Sequence, residues 1–350
     1  MENKSGIVSL SFPFAAGVTA AALAAIPFEG AVASSLAVCL FIFISVSSGN
    51  RRSAAMAATF FCLGFMCWCT RALNPAAPRH SSIAIDALAA RIDSLDFPGE
   101  HSAAILKALL TGRRNTLDSS TIAAFRKSGA SHILALSGLH LGVLYLLIRT
   151  LLKPMGNSRA ASVARSIMTI ALCAAYTFIT GASPSIVRAF LFILINETGR
   201  QFPSRRRSAL GTFCTALTIQ LAIRPDYISS AGFQLSYLAM LGITLVMPGL
   251  EAWYPTARGP SPVRHVWKCA ALSISCQMFT APVVWYHFRT FPKYFLITNL
   301  IAMPMTELAI TGAALALLLD AMGLCPQLLV EACGTMVKWL EFCLEAIASI

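Results

Sequence analysis

The chain has few charged residues and lacks the short motifs that mark common classes of soluble enzyme. Only 12% of its 350 residues are charged, about half of the ~25% that is typical of soluble domains. It has no GxxxxGK[ST] phosphate loop and no HxHxDH cluster of metal ligands. We therefore expect no metal site, no cofactor, and neither ATPase nor nuclease activity in this chain.

The cysteines also lack the spacing of a metal or redox site. There are eleven, scattered without a CxxC pair, and most lie inside apolar runs. Buried thiols behave as small hydrophobic groups. We therefore favour a packing role for them over a redox or metal-binding role.

Hydrophobic residues dominate what is present. They make up 57% of the sequence, and the mean hydropathy is +0.69. Apolar windows of roughly 17–22 residues recur from end to end, which indicates transmembrane helices. We predict an all-α polytopic transmembrane bundle of about ten spans, with short external amphipathic helices. The predicted spans are 10–27, 31–48, 54–71, 132–152, 164–181, 185–199, 208–223, 228–248, 267–287 and 295–319.

The pattern divides the chain into four parts. N-terminal transmembrane helices occupy 1–72, an external amphipathic or interfacial segment 73–131, the main membrane domain 132–320, and a C-terminal amphipathic or spanning helix 321–350. Short helices are predicted at 82–96, 101–112 and 118–128. In the first of these, Ile83, Ala87, Ala90 and Leu95 recur at roughly helical spacing, as in an interfacial helix.

Basic residues set the expected orientation, because cytoplasmic loops collect Lys and Arg. By alternation of the spans, the basic loops around 51–52, 153–165, 200–207 and 258–268 share one side. The N-terminus is then cytoplasmic and 72–131 faces out. That outer segment is also basic, with Lys107, Arg113, Arg114, Arg126 and Lys127. Two interpretations stay open: a solvated or lipid-headgroup face, and contact with an incoming polyanion.

Residues 129–142, GASHILALSGLHLG, place polar groups at the start of an apolar run. Ser131 is a plausible helix N-cap, so we expect the helix to begin close to His132. Gly138 and Gly142 form a GxxxG pair that suits a close helix crossing. Ser137 and His140 are three residues apart and share a face. The sequence leaves open whether these groups pack around a crossing or line a polar path.

Three later stretches also carry polar residues within apolar sequence. They are 180–190 with Arg188, 225–243 with Gln234 and Ser236, and 276–310 with Asn299, Pro304 and Glu307. A charge at the centre of a spanning helix costs ~2.5–3.5 kcal/mol on insertion scales. Arg188 therefore either reaches the interface or faces water, a phosphate or an acidic partner, for which Glu307 is a candidate.

These motifs, in this order, resemble the ComEC competence proteins, inner-membrane channels for DNA uptake in transformation. GASHILALSGLHLG resembles the GxSHxLAxSGLHxG core of that family. ALLTGRRNTLD at 108–118 resembles the segment ahead of it. TGASPSIVRAF, GFQLSYLAMLGI and NLIAMP match later motifs. The resemblance covers roughly 101–310 and is specific because the motifs occur together.

The resemblance implies a channel that passes a single DNA strand across the bacterial inner membrane. The implied path or its packing involves His132, Ser137, Gly138, His140, Arg188, Gln234, Ser236, Asn299 and Pro304. The implied external contacts to DNA are Arg113, Arg114, Arg126 and Lys127. Phe125, Phe233 and Tyr237 are candidates for base stacking, although aromatic residues in a bundle more often fill the core.

The resemblance also implies partners. These are single-stranded DNA and membrane lipid, together with a separate periplasmic DNA receptor, a nuclease and a cytoplasmic motor. Whether the chain forms homo-oligomers stays open. Fuller family members carry an external OB-like domain and a metallo-β-lactamase-like domain, and we expect neither in this chain.

Two other functions remain open from the residues alone. One is an intramembrane hydrolase with Ser137 as nucleophile and His140 as base, although their spacing makes good alignment difficult. The other is a small-molecule transporter or a non-catalytic assembly partner.

Overall fold

The computed structural model describes residues 6–24, 52–73, 83–156, 158–202, 208–254, 262–289 and 291–349. Within these ranges the regular structure is helical throughout, without strands. The first helices along the chain are α1 Gly6–Ala24, α2 Arg52–Leu73, α3 Ile83–Ser94, α4 Ser102–Thr111, α5 Ser119–Lys127, α6 Ser131–Leu134 and α7 Gly138–Leu151. The later ones are α8 Arg159–Ile179, α9 Pro184–Arg200, α10 Ala209–Ile223, α11 Ala231–Leu245, α12 Met247–Ala252, α13 Pro262–Phe288, α14 Phe295–Ala321 and α15 Gln327–Ala348.

The predicted all-α membrane bundle is confirmed. In the part of the chain described, five helical segments are long and apolar enough to cross a bilayer: Ile7–Ala24, Arg159–Ile179, Ala231–Ala252, Pro262–Phe288 and Phe295–Ala321. Shorter apolar helices cover Met56–Arg71, Ser102–Thr111 and Ala209–Ile223. The predicted span at 31–48 lies outside the described residues. The three short helices expected between 82 and 128 are present as α3, α4 and α5.

One predicted span is broken. The sequence predicted a continuous helix from about His132 to Leu152, but the short helix α6 ends at Leu134 and α7 begins at Gly138. Ser137 adopts an extended conformation and caps α7. The polar residues of this motif therefore lie at a helix junction rather than along one helix.

The largest core joins the predicted external segment to the C-terminal helices. Buried residues of α3, α4 and α5 pack against α14 and α15. Most of the apolar face expected for α3 is wrong, because Ile83, Ala87 and Ala90 are exposed, although Leu95, just after the helix, is buried. The buried residues of α3 itself are Ile85, Ala89 and Ile92. Of these three, Ile92 belongs to the core shared with α14 and α15.

A histidine ties this segment to α15. His101 Nδ1 lies 2.8 Å from Glu341 Oε1, and His101 Nε2 lies 2.8 Å from Asp118 Oδ2. The hydrogen bond to Glu341 raises the pKa of His101 above its usual range. Protonation of His101 strengthens its contact with the Glu341 carboxylate, so the contact weakens as the pH rises through that elevated pKa.

A second core is built from α1, α2, α10 and α11. Gly17 on α1 and Gly64 on α2 sit where an added Cβ would run into the backbone of the facing helix. Small residues let helix backbones approach closely in membranes. The same close approach occurs at Gly242 on α11, which faces the Ser275 carbonyl of α13.

Candidate functional site

Arg188 lies where α7, α9 and α11 meet. The turn before α9 uses the left-handed region at Gly181 (φ 78°) and Ala182 (φ 47°), and Pro184 opens the helix, where its missing N–H is harmless. Arg188 is one turn further on and only 9% exposed. Its Nη1 donates a hydrogen bond to the Ser236 carbonyl at 2.6 Å. A buried cation is thus held by a backbone dipole.

Gly138 makes room for this guanidinium. A Cβ at position 138 would lie 2.8 Å from Arg188 Nη2 and 3.3 Å from the Cβ of Ala189. The other half of the GxxxG pair behaves differently, since a Cβ at Gly142 would meet no atom of the described residues within 4 Å. The close crossing expected at both glycines therefore exists only at Gly138. We call Gly138, Arg188 and Ser236 the arginine junction.

The proposed acidic partner of Arg188 is wrong. Glu307 is exposed on α14, and the guanidinium donates to the Ser236 carbonyl instead. Tyr237 and Cys276 lie within electrostatic range of Arg188.

Several buried polar atoms in this region lack a hydrogen-bond partner among the described residues. On four of the helices they are Arg188 Nε, His140 Nε2, Gln277 Nε2, Ser275 Oγ and Asn299 Oδ1, and Ser183 Oγ precedes α9. A buried polar atom without a partner costs ~1–3 kcal/mol. Such groups persist inside a membrane where they serve water or a polar substrate.

Ser137 and His140 are within hydrogen-bond reach of one another. His140 Nδ1 lies 2.9 Å from Ser137 Oγ and accepts the Ser137 N–H at 2.9 Å. The Leu139 N–H donates to Ser137 Oγ at 3.3 Å. This is a capping box in which His140 takes the place usually held by Glu or Gln. The pair begins α7, directly beside Gly138.

The remaining predicted path residues lie around the junction without joining it. His132 is exposed, with Nδ1 3.1 Å from the Gly129 carbonyl. Gln234 donates to the Ile228 carbonyl at 2.8 Å, and its Oε1 lies 2.9 Å from His287 Nε2. Asn299 is half-buried and Pro304 is exposed on α14. No hydrogen bond or ion pair links these two to Arg188 within the described ranges.

The four cations that were predicted to be external fall into two pairs. Arg113 forms an ion pair with Asp86, and Arg114 Nε donates to the Leu134 carbonyl at 3.0 Å. Arg126 and Lys127 are exposed at the end of α5. The first pair therefore contributes to folding, and the second is open to a ligand.

The expected stacking residues are core residues. Phe125, Phe233 and Tyr237 are 5% exposed or less. Phe233 and Tyr237 pack together with ring centroids 4.5 Å apart. Tyr237 Oη also donates to Gln220 Oε1 at 2.8 Å. A base cannot stack on rings that are already covered.

The sequence analysis missed a buried carboxylate. Glu197 near the end of α9 has no exposed side-chain surface. It accepts hydrogen bonds from Tyr145 Oη at 2.6 Å, Arg149 Nη1 at 2.8 Å and Ser166 Oγ at 2.8 Å. Its partners lie on α7 and α8, so Glu197 joins three helices. The sequence does carry a signal for Glu197, because an acidic residue inside an apolar run is unusual. That signal was applied only to Glu307.

The arrangement defines a polytopic membrane bundle with a buried cation at a junction of helices. The chain belongs to the Competence protein family, whose model matches residues 109–350. It is similar to ComE operon protein 3 of Bacillus subtilis (strain 168), with 27% identity over 256 residues that cover 71% of this chain and 31% of that protein. The chain thus spans about a third of the length of this curated relative. No solved structure matches.

Proposed function

We propose that the chain provides the path for a single DNA strand through the bacterial inner membrane in natural transformation. It would be a multi-pass protein with a cytoplasmic N-terminus, and a translocation channel rather than an enzyme. Membership of the Competence family and similarity to ComE operon protein 3 support a role in DNA uptake. The observation that carries the proposal is the buried, carbonyl-held guanidinium of Arg188.

The physical argument rests on charge. A single strand brings a phosphate with every nucleotide, and proteins that hold single strands use cationic grooves. Arg188 has a hydrogen bond to a carbonyl, and no carboxylate pairs with it among the described residues. Its charge is therefore available to a passing phosphate. The unpartnered polar atoms of His140, Gln277 and Asn299 would supply further polar contacts along the way.

The external residues and partners complete the proposal. Arg126 and Lys127 would attract DNA at the outer mouth. A separate receptor and nuclease would deliver one strand, and a cytoplasmic motor or an ion gradient would supply the driving energy. Membrane lipid surrounds the bundle, and a homo-oligomer is compatible with it.

The hydrolase alternative is weaker because the structure gives Ser137 another role. Its hydroxyl accepts the Leu139 N–H as the cap of α7, and a third residue that would orient His140 through Nε2 is missing from the described residues. Nucleophilic catalysis needs a base that is held by such a group. A helix cap explains the Ser137–His140 contact fully.

Replacing Arg188 by alanine should lower DNA uptake by about tenfold or more, because hydrogen bonds to charged groups contribute ~1.5–3 kcal/mol. Arg188→Lys should retain part of the uptake, since it keeps the charge but loses the planar fork. The measurement is internalised labelled DNA and transformant number, normalised to the amount of protein in the membrane.

The matched control is Arg159→Ala, which removes an exposed arginine at the start of α8. Its uptake should equal that of the wild type. Unchanged uptake in Arg188→Ala at equal membrane abundance would remove the arginine junction from the path.

A further inference from the structure

The end of α13 carries exposed aromatic residues beside a group of cations. Trp285 is 55% exposed, Tyr286 71%, Phe288 54% and Phe291 49%; we call these four the aromatic platform. Trp285 and Phe288 are three residues apart and therefore share a helix face. At 27 residues, α13 is about 40 Å long, longer than the ~30 Å hydrocarbon core. The platform can therefore lie at or beyond the bilayer surface.

Two contacts bring the end of α5 to this place. Thr298 Oγ1 of α14 donates to the Ser128 carbonyl at 2.6 Å. Gly129, at φ 84°, sits where a Cβ would lie 2.7 Å from the Cβ of Pro292. Arg126 and Lys127, immediately before Ser128, are thereby held near the platform. The glycine that opens the 129–142 motif is required here for the close approach of two segments.

The platform segment adds cations of its own. Arg289 and Lys293 are both exposed. Arg289 adopts the left-handed conformation (φ 52°) that ends α13, a position where glycine is favoured. Within the described part of the chain, no carboxylate forms an ion pair with Arg126, Lys127, Arg289 or Lys293. Four cations without an ion-pair partner among the described residues therefore lie around the exposed rings.

A hydrogen bond joins the platform segment to α11, the helix that carries Ser236. His287 lies between Tyr286 and Phe288, and its Nε2 is 2.9 Å from Gln234 Oε1. Gln234 lies two residues before Ser236 on α11, and the Ser236 carbonyl accepts the Arg188 hydrogen bond.

We propose that the aromatic platform, with Arg126, Lys127, Arg289 and Lys293, is a binding site for single-stranded DNA at the mouth of the path. Bases stack on the exposed rings, and the cations bind the phosphates. Unpaired bases have free faces for stacking, whereas the bases of a duplex are already stacked, so the site discriminates single strands from double strands. This inference rests on the proposed function and assigns a capture site to it.

The test measures how tightly a fluorescein-labelled oligothymidylate binds to the full chain in lipid nanodiscs. Binding is detected as a rise in the fluorescence anisotropy of the label. Trp285→Ala or Tyr286→Ala should weaken binding by about 5- to 150-fold, the range for loss of one stacked base. Trp285→Phe keeps a ring and should bind nearly as the wild type does. Trp253→Ala and Trp339→Ala remove exposed tryptophans elsewhere on the surface and should bind normally.

The salt dependence tests the cations separately. Log K for DNA binding falls as log salt concentration rises, and each phosphate contact to a single strand contributes about 0.7 to the steepness of this slope. Changing both Arg289 and Lys293 to glutamine should therefore make the slope shallower by about 1.4. Loss of affinity without a change in slope would exclude these cations from phosphate binding.

The outcomes separate this inference from the proposed function. If the wild type binds and the alanine variants bind equally well, the platform is not the capture site, and the Arg188 uptake test decides the channel independently. If the alanine variants change the binding of the protein to anionic lipid but not its binding to the oligonucleotide, the rings are membrane anchors and the inference fails. If the wild type binds no oligonucleotide, the inference fails together with the proposed function.

Discussion

Glu197→Ala should lower the free energy of unfolding by about 3–5 kcal/mol, the usual cost of removing one partner from a buried charged pair. Glu197 is fully buried and accepts hydrogen bonds from Tyr145, Arg149 and Ser166. Its loss leaves a guanidinium and two hydroxyls with unmet hydrogen bonds between α7, α8 and α9. The measurement is thermal or denaturant unfolding of the purified protein in detergent micelles.

Two further variants separate charge from packing. Glu197→Gln keeps the size of the side chain and should lose less stability than alanine, because an amide oxygen still accepts hydrogen bonds. Glu331→Ala removes an exposed acid from α15 and should change the stability by less than about 0.5 kcal/mol. A Glu197→Ala protein as stable as the Glu331→Ala protein would show that the carboxylate does not hold the three helices together.

Gly242→Val should separate α11 from α13 and lower the free energy of unfolding by about 3 kcal/mol, the upper part of the range for overpacking. Any side chain at this position runs into the Ser275 carbonyl of α13 and crowds Phe279. A backbone carbonyl cannot rotate away as a side chain can. The added side chain can therefore be accommodated only if a whole helix moves.

Gly142→Ala is the matched control, since its Cβ would meet no atom of the described residues within 4 Å. Alanine is favoured over glycine in a helix interior by ~1 kcal/mol, so this variant should be as stable as the wild type or more stable. Equal destabilisation by Gly242→Val and Gly142→Ala would contradict the assigned close contact between α11 and α13.

The membrane bundle itself follows from composition. In a bilayer every backbone N–H and C=O must be satisfied internally, which leaves helices as the form for long apolar runs. Helix faces are harder to predict. In α3, both Ile83 with Ala87 and Ile85 with Ala89 recur at helical spacing, and tertiary packing decides which pair is buried.

The break before α7 shows a second limit of the sequence. Ala135 and Leu136 keep the run apolar, so hydropathy is the same whether or not the helix continues. The capping box that marks the true start uses His140 where Glu or Gln is usual, which hides the signal. The sequence did predict that Ser137 and His140 share a face.

Contacts between distant residues are the third limit. Arg188 was recognised as unusual, but its bond to the Ser236 carbonyl depends on how α9 crosses α11. The burial of Phe125, Phe233 and Tyr237 likewise depends on packing. The sequence does not mark Trp285 and Tyr286 as a site, because only the fold places cations of α5 beside them.

A DNA strand that follows the proposed path passes the arginine junction. The most direct measurement places a photoreactive diazirine side chain at position 236 and, separately, at position 146, and irradiates cells during uptake of labelled DNA. Leu146 is 63% exposed on α7, on a surface away from the junction. We expect single-stranded DNA to be cross-linked at position 236, with a yield several-fold above that at position 146. Continued uptake with no cross-link at 236, or with equal cross-linking at both positions, would contradict it.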